Sequence, residues 1–133
     1  MKNYFRFLVL GFFLLSILSC VTTTGIHNSR NSLDWDGIYT GIIPGADSMG
    51  INVRIILNKD ETYIVNYQYI GRSDQVFTYT GTFKWDERGN TITLDSDVIP
   101  PHYRVGENTL TQLDMRGRLI RGELADHYVL RKQ

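Results

Sequence analysis

Cysteine occurs once, at Cys20. A single thiol closes no intramolecular disulfide and satisfies none of the multi-cysteine zinc patterns. Charge of one sign is not in surplus: Lys plus Arg and Asp plus Glu number 14 each. The charges are scattered, and no basic excess is available to displace counterions from nucleic acid. There is no Gly-x-Ser-x-Gly elbow and no EF-hand loop. No helical hydrophobic period of useful length follows residue 20. The longest apolar run, Phe7 to Leu18, falls short of the roughly 20 residues that span a bilayer. What remains is a chain of 133 residues, one domain's worth.

The N-terminus has the form of an export leader. Lys2 and Arg6 make a positive start, and the apolar run that follows suits a signal-peptide core. Ile17-Leu18-Ser19-Cys20 resembles the site cut by lipoprotein signal peptidase, with an aliphatic residue at −3 and a small one at −1. This predicts a lipoprotein signal peptide over 1–19 and lipidation of Cys20. Three acyl chains would hold a membrane far better than one. Loss of Lys2 and Arg6 leaves the mature chain weakly acidic. Val21, rather than an aspartate, follows the cysteine, which favours the outer membrane. Residues 20–32 are polar and aperiodic, predicting a flexible tether with His27 solvated in it.

Residues 33–133 read as strands and turns. Gly37 to Ile43 is rich in β-branched and aromatic residues. Ile51, Val53, Ile55 and Leu57 alternate with Asn52 and Arg54. Tyr63, Val65, Tyr67 and Tyr69 form the next row, and Phe77, Tyr79, Phe83 and Trp85 alternate with Thr78, Thr80, Thr82 and Lys84. Gly81 in that long strand suggests a bend or bulge. Shorter strands are predicted at Ile92 to Leu94, from Tyr103, over Thr109 to Leu113, from Leu119 towards Leu124, and around Tyr128 and Leu130. Pro44-Gly45-Ala46-Asp47-Ser48-Met49-Gly50 and Pro100-Pro101 mark loops. The pattern predicts an all-β fold, an antiparallel up-and-down barrel of about eight strands. Its inward rows are large rings, which favours a filled interior over a cavity.

The turn and strand pattern resembles the N-terminal domain of the NlpE lipoproteins, a family linked to copper tolerance and envelope-stress signalling. The residues that carry it are Gly37-Ile38-Tyr39, Ile43-Pro44, Leu57 to Tyr63, Tyr69-Ile70-Gly71, Gly81-Thr82-Phe83 and Tyr103 to Asp114. The resemblance implies a small lipocalin-like barrel, with Trp35 placed to plug its base. It also implies a Pro-Cys-x-x-Cys motif at Pro44 to Ser48. Here Gly45 and Ser48 hold the places of both cysteines. Without thiolates, neither Cu(I) ligation nor a disulfide carries over.

Other constellations are thin. Met49, Asp47, Met115, His102 and His127 are of metal-ligating type but have no spacing motif, so no metal or other cofactor is expected. Asp34/Asp36 and Asp95/Asp97 read as carboxylates at strand ends and turns. No catalytic residues are expected. The sequence thus predicts a non-enzymatic, lipid-anchored outer-membrane lipoprotein of the cell envelope, active in stress sensing or surface interaction. It would have the membrane and an envelope protein as partners, and no nucleic acid. The alternative is a lipocalin-like carrier of a small hydrophobic ligand, entered through a mouth loop containing Pro44, Asp47 and Met49.

Overall fold

A computed structural model of the chain describes residue 25 and residues 27–133. Cys20, the leader and most of the tether's first half lie outside the described residues. Eight antiparallel strands follow in sequence order and close into a barrel. They are β1 (Gly37–Ile43), β2 (Ile51–Leu57), β3 (Thr62–Tyr69), β4 (Val76–Trp85), β5 (Thr91–Leu94), β6 (His102–Gly106), β7 (Thr109–Gln112) and β8 (Val129–Lys132).

Alternation explains the closure. Every second side chain of β2 and β3 points inward: Val53, Ile55 and Leu57 face the same interior as Tyr63, Val65 and Tyr67. Tyr39, Ile43, Phe83, Ile92, Leu94, Ile99, Tyr103, Val105, Leu110 and Leu130 complete that core. Each such aliphatic or ring withdrawn from water contributes about 1.5–3 kcal/mol. The large inward rows expected from the sequence form this buried core. The seam between β1 and β8 is short, pairing Tyr39 with Lys132 and Thr40 with Arg131. Gln133 extends it through its N–H to the Ile38 carbonyl at 2.9 Å.

The barrel has two unlike ends. The base carries the turns after β2, β4 and β6. The mouth carries the longer connections after β1, β3, β5 and β7. At the base a short helical turn, α1 (Ser29–Ser32), is capped by Asn28 in a reciprocal box with Asn31. The Ser29 hydroxyl donates to the Val105 carbonyl at 2.7 Å, and the Arg30 N–H donates to the Gly89 carbonyl at 2.9 Å. Residues 28–32, read from sequence as the end of a loose tether, are therefore bonded to the barrel. Trp35 follows and packs edge-on against Phe83 and Trp85, with ring centroids 5.8 and 5.3 Å apart. That is the plug position.

Two local expectations differ from the structure. No strand runs from Leu119 to Leu124. Only an isolated bridge joins Leu119 to Leu113, and a 3-10 turn, Ala125–Tyr128, follows. Leu119 and Leu124 are exposed, so no alternating row has a face to bury. Gly117 and Gly122 take left-handed φ values of 75° and 106°, which break an extended chain. Gly81 marks no bulge, because β3 and β4 pair without interruption from Thr62↔Thr82 to Gln68↔Val76. A Cβ at Gly81 would instead run into the Asp95 carboxylate and stand 3.0 Å from the Tyr63 hydroxyl.

Candidate functional site

The mouth is built from the β1–β2 loop lying against the β3–β4 turn. The Met49 N–H reaches the Ile70 carbonyl at 3.3 Å, and the Ile70 N–H reaches the Gly50 carbonyl at 3.0 Å. Gly50 sits at φ 144°, where its Cβ would be only 2.8 Å from the Ile42 side chain. Both facts require glycine there. Asp47 and Arg72 form an ion pair across the two loops at 3.3 Å. Both side chains are exposed, so the pair contributes little, about 0–1 kcal/mol. Ala46 to Met49 and Ile70 to Arg72 enclose a shallow depression open to solvent. Met49 overhangs it, 85% exposed.

Gly45 and Ser48 face each other within this loop. A Cβ built on Gly45 would lie 3.5 Å from the Ser48 Cβ, and would collide with the Ser48 Oγ. The hydroxyl is spent on the Gly50 carbonyl at 3.0 Å. A hydroxyl and a hydrogen atom offer no soft ligand.

The metal-ligating types singled out in the sequence are dispersed. The His102 ring pairs through Nδ1 with the Thr93 hydroxyl at 3.0 Å. His127 lies in the 3-10 turn, while Met115 and Met49 project from different mouth connections. Among the described residues, no three His, Cys, Asp or Glu side chains gather as a cage. Asp95 accepts from the Thr82 N–H at 3.0 Å and the Thr82 hydroxyl at 3.1 Å. Its carboxyl is held below the ordinary range, first by that N–H. Asp34 offers its carbonyl to Lys132 Nζ at 2.5 Å. These acids therefore stitch strand ends together.

Inside the barrel, burial pushes the Tyr67 hydroxyl up to about 12, and the Tyr103 hydroxyl is raised for the same reason. The Tyr67 and Tyr103 hydroxyls face each other but fall short of full hydrogen-bond geometry, and the Trp85 indole N–H completes no hydrogen bond. Tyr39 is likewise pushed up to about 12, by burial and then by the carboxylates of Asp34 and Asp36. Its hydroxyl donates to the Trp35 carbonyl at 2.7 Å. Neutral, buried phenols of this kind act as packing groups in the core.

Sequence reasoning missed the apolar character of the mouth as a whole. Among the described residues, the exposed large hydrophobic ones are Ile42, Met49, Val76, Val98, Met115, Leu119 and Leu124. All lie at mouth ends of strands or in mouth connections, and none lies at the base where α1 docks. The available signal was their position beside turns, where an apolar side chain has no inward row to join.

Comparison with known proteins agrees with this architecture. The sequence family described as the NlpE N-terminal domain matches residues 39–123. Lipoprotein NlpE of Escherichia coli is 28% identical over 86 residues, covering 64% of this chain and 36% of that protein. The chain thus spans about a third of the length of that relative. A crystal structure of a lipoprotein candidate from Shewanella oneidensis superposes with a TM-score of 0.75 at 40% identity, over 80% of this chain and 95% of that one. The crystal structure of the Cpx pathway activator NlpE from Escherichia coli gives a TM-score of 0.54 at 30% identity, over 65% of this chain and 46% of that one. With the closed eight-strand barrel, the Trp35 plug and this match over most of the folded residues, the chain belongs to the NlpE family and corresponds to its N-terminal domain.

Proposed function

We propose that this protein is a non-enzymatic lipoprotein of the bacterial cell envelope, anchored in the outer membrane through Cys20, that acts by presenting the mouth of its barrel to an envelope protein. The observation that carries the reading is the segregation of the two ends. The N-terminal segment docks at the base, and the exposed apolar side chains collect at the mouth. A chain tethered at its base holds the mouth away from its anchor. Stress sensing or surface interaction is the role the family suggests, performed here without cysteine-based copper or redox chemistry. The large side chains packed together in the core support display over carriage of a ligand.

Metabolic labelling with a radioactive fatty acid tests the anchor. Wild type should take up label and sediment with membranes, and Cys20→Ala should do neither. Label retained in Cys20→Ala would end the anchoring argument. In vivo crosslinking from a photoreactive residue at Val98 tests the mouth. A discrete envelope-protein adduct, lost when Met49 and Met115 become Asp, is the expected result. An adduct that survives those changes would place the contact elsewhere. Native mass spectrometry showing a bound lipid would favour the carrier instead.

A further inference from the structure

The barrel closes with an unpaired stretch of edge. β4 runs from Val76 to Trp85, but β5 pairs only with Phe83, Lys84 and Trp85. Beyond them, Asp95 caps Thr82: its N–H reaches the Thr82 carbonyl at 3.0 Å, and its carboxylate takes the Thr82 N–H. From Val76 to Gly81, β4 has β3 on one side. Among the described residues no strand lies on the other.

The direction of each backbone group follows from alternation. Phe83 donates its N–H to the Glu61 carbonyl on the β3 side, and Thr82 faces the β5 side. Residues Gly81, Tyr79 and Phe77 therefore turn their N–H and C=O groups to β3. Thr80 and Thr78 turn theirs to the open side. The Thr78 hydroxyl is occupied by the Asn66 amide at 2.9 Å, which leaves the main chain free.

Natural proteins blunt such edges with lysine, proline or a bulge. Val76 to Phe83 contains no charged residue and no proline, and its register on β3 is unbroken. The sequence is also symmetric, with Thr78 and Thr80 flanking Tyr79. Running antiparallel to itself about a two-fold axis beside Tyr79, this strand sets Thr78 opposite Thr80 of a second copy. Both are edge-facing residues, so each pair exchanges N–H to C=O bonds in both directions. Threonines opposite one another on the exposed face are a favourable cross-strand pair.

We propose that the free edge of β4, Val76 to Gly81, is a self-association surface that pairs antiparallel with the same edge of a second copy of this chain, continuing the sheet across the two-fold axis. The interface is isologous, so it closes at two copies and forms no fibre. It meets the mouth surface only at Val76 and does not depend on lipidation.

Cysteine crosslinking of two full-length chains in the same cells tests it. One chain carries Thr78→Cys and the other, differently tagged, carries Thr80→Cys. Directly opposed residues of a bonded antiparallel pair have Cα atoms about 5.5 Å apart, within disulfide reach. Mild oxidation should give a mixed disulfide dimer at least ~5-fold above the background from chains carrying Thr93→Cys, an exposed position on β5 that the pairing leaves apart. Cys20 is present in every chain, so its contribution is the same throughout. Crosslinking no higher than that background overturns the proposal. So does a crosslinked species of a mass other than that of two chains, which would mean that another protein's strand takes the edge.

Sedimentation of the full chain in mild detergent provides the second measurement. Wild type should shift from monomer to dimer with concentration. Thr80→Pro removes an N–H that faces outward and leaves the β3 ladder intact, so it should sediment as monomer with a near-native melting transition. A Thr80→Pro chain that is folded and still dimerises overturns the pairing.

Discussion

Gly45 and Ser48 stand side by side at the barrel mouth, with the Cβ position of one 3.5 Å from the Cβ of the other. That spacing lies within the ~3.5–4.5 Å that a disulfide requires. The loop therefore keeps the geometry of a Cys-x-x-Cys pair without its sulfur. Gly45→Cys combined with Ser48→Cys should oxidise to an intramolecular disulfide without backbone rearrangement. The closed ring is short, so the stabilisation should reach at most ~2 kcal/mol. Loss of two thiols by alkylation mass spectrometry, with a higher non-reducing melting temperature, is the expected outcome. Two thiols that stay free under oxidising conditions would show that the loop holds them apart. The reduced variant should also gain a melting shift with Cu(I), whereas the wild-type chain, offered equimolar copper, should gain none.

Trp35 holds the base. Its ring meets Phe83 and Trp85 edge-on, and its indole N–H donates to the Arg30 carbonyl at 3.1 Å. Truncation removes a large apolar contact and two aromatic pairs, each worth ~0.5–1.5 kcal/mol beyond its area. Trp35→Ala should destabilise the barrel by ~2–4 kcal/mol in urea titrations. Trp35→Phe should lose roughly half of that, since it keeps a ring and loses the hydrogen bond. Equal stability of the alanine variant and wild type would mean that the plug is decorative.

Much of this fold is legible from alternation. The rows from Ile51 to Leu57 and from Tyr63 to Tyr67 each have one face to bury and one to expose, and period two records that directly. The stretch from Leu113 to Tyr128 resisted reading because Leu119-Ile120 looks like the start of a strand, while Leu119 and Leu124, five residues apart, would fall on opposite faces of one. The docking of residues 28–32 was hidden for a different reason. The Ser29 and Arg30 bonds reach Val105 and Gly89, partners distant in sequence. Gly81 was noticed for the wrong reason: a glycine inside a strand signals either a bulge or a close approach. Here the close approach of the Asp95 carboxylate, just past β5, and of the Tyr63 hydroxyl decides between them.

Gly81 yields a coupled test. A methyl group added there meets the Asp95 carboxylate and the Tyr63 hydroxyl. Gly81→Ala should destabilise the barrel by ~1–3 kcal/mol, the usual range for overpacking. In an Asp95→Ala background the obstructing carboxylate is gone, so the same substitution should lose clearly less stability. A double-mutant cycle in chemical denaturation measures the difference. Additive effects would show that the carboxylate moves aside freely and that the glycine answers to something else.

The buried phenols set an alkaline limit on the barrel. Tyr39 and Tyr67 are both pushed up to about 12 from an ordinary value of 10. The unfolded chain therefore releases these protons first as pH rises. Below pH ~10 the phenols are neutral in both states, and their contribution to stability is complete. Between pH ~10 and ~12 the unfolded state is ionised while the folded state is not, so stability falls by up to ~1.4 kcal/mol per pH unit for each such tyrosine. The denaturation midpoint should be flat from neutrality to about pH 9.5 and then drop. Tyr67→Phe removes one titrating group, and the drop should become shallower by about that slope. It also removes a buried hydroxyl whose contact with the Tyr103 hydroxyl falls short of full hydrogen-bond geometry, so at pH 7 the variant should be no less stable than wild type, and up to ~1 kcal/mol more stable. Tyr39→Phe should flatten the alkaline drop as well, but at neutral pH it should lose ~1 kcal/mol, because its hydroxyl holds the Trp35 carbonyl. Opposite neutral-pH effects with a shared alkaline effect would separate a tyrosine that ties the plug to the wall from one that merely fills space. A Tyr67→Phe chain as unstable at pH 7 as Tyr39→Phe would mean that the Tyr67 hydroxyl is satisfied, by the Tyr103 hydroxyl or by an internal water.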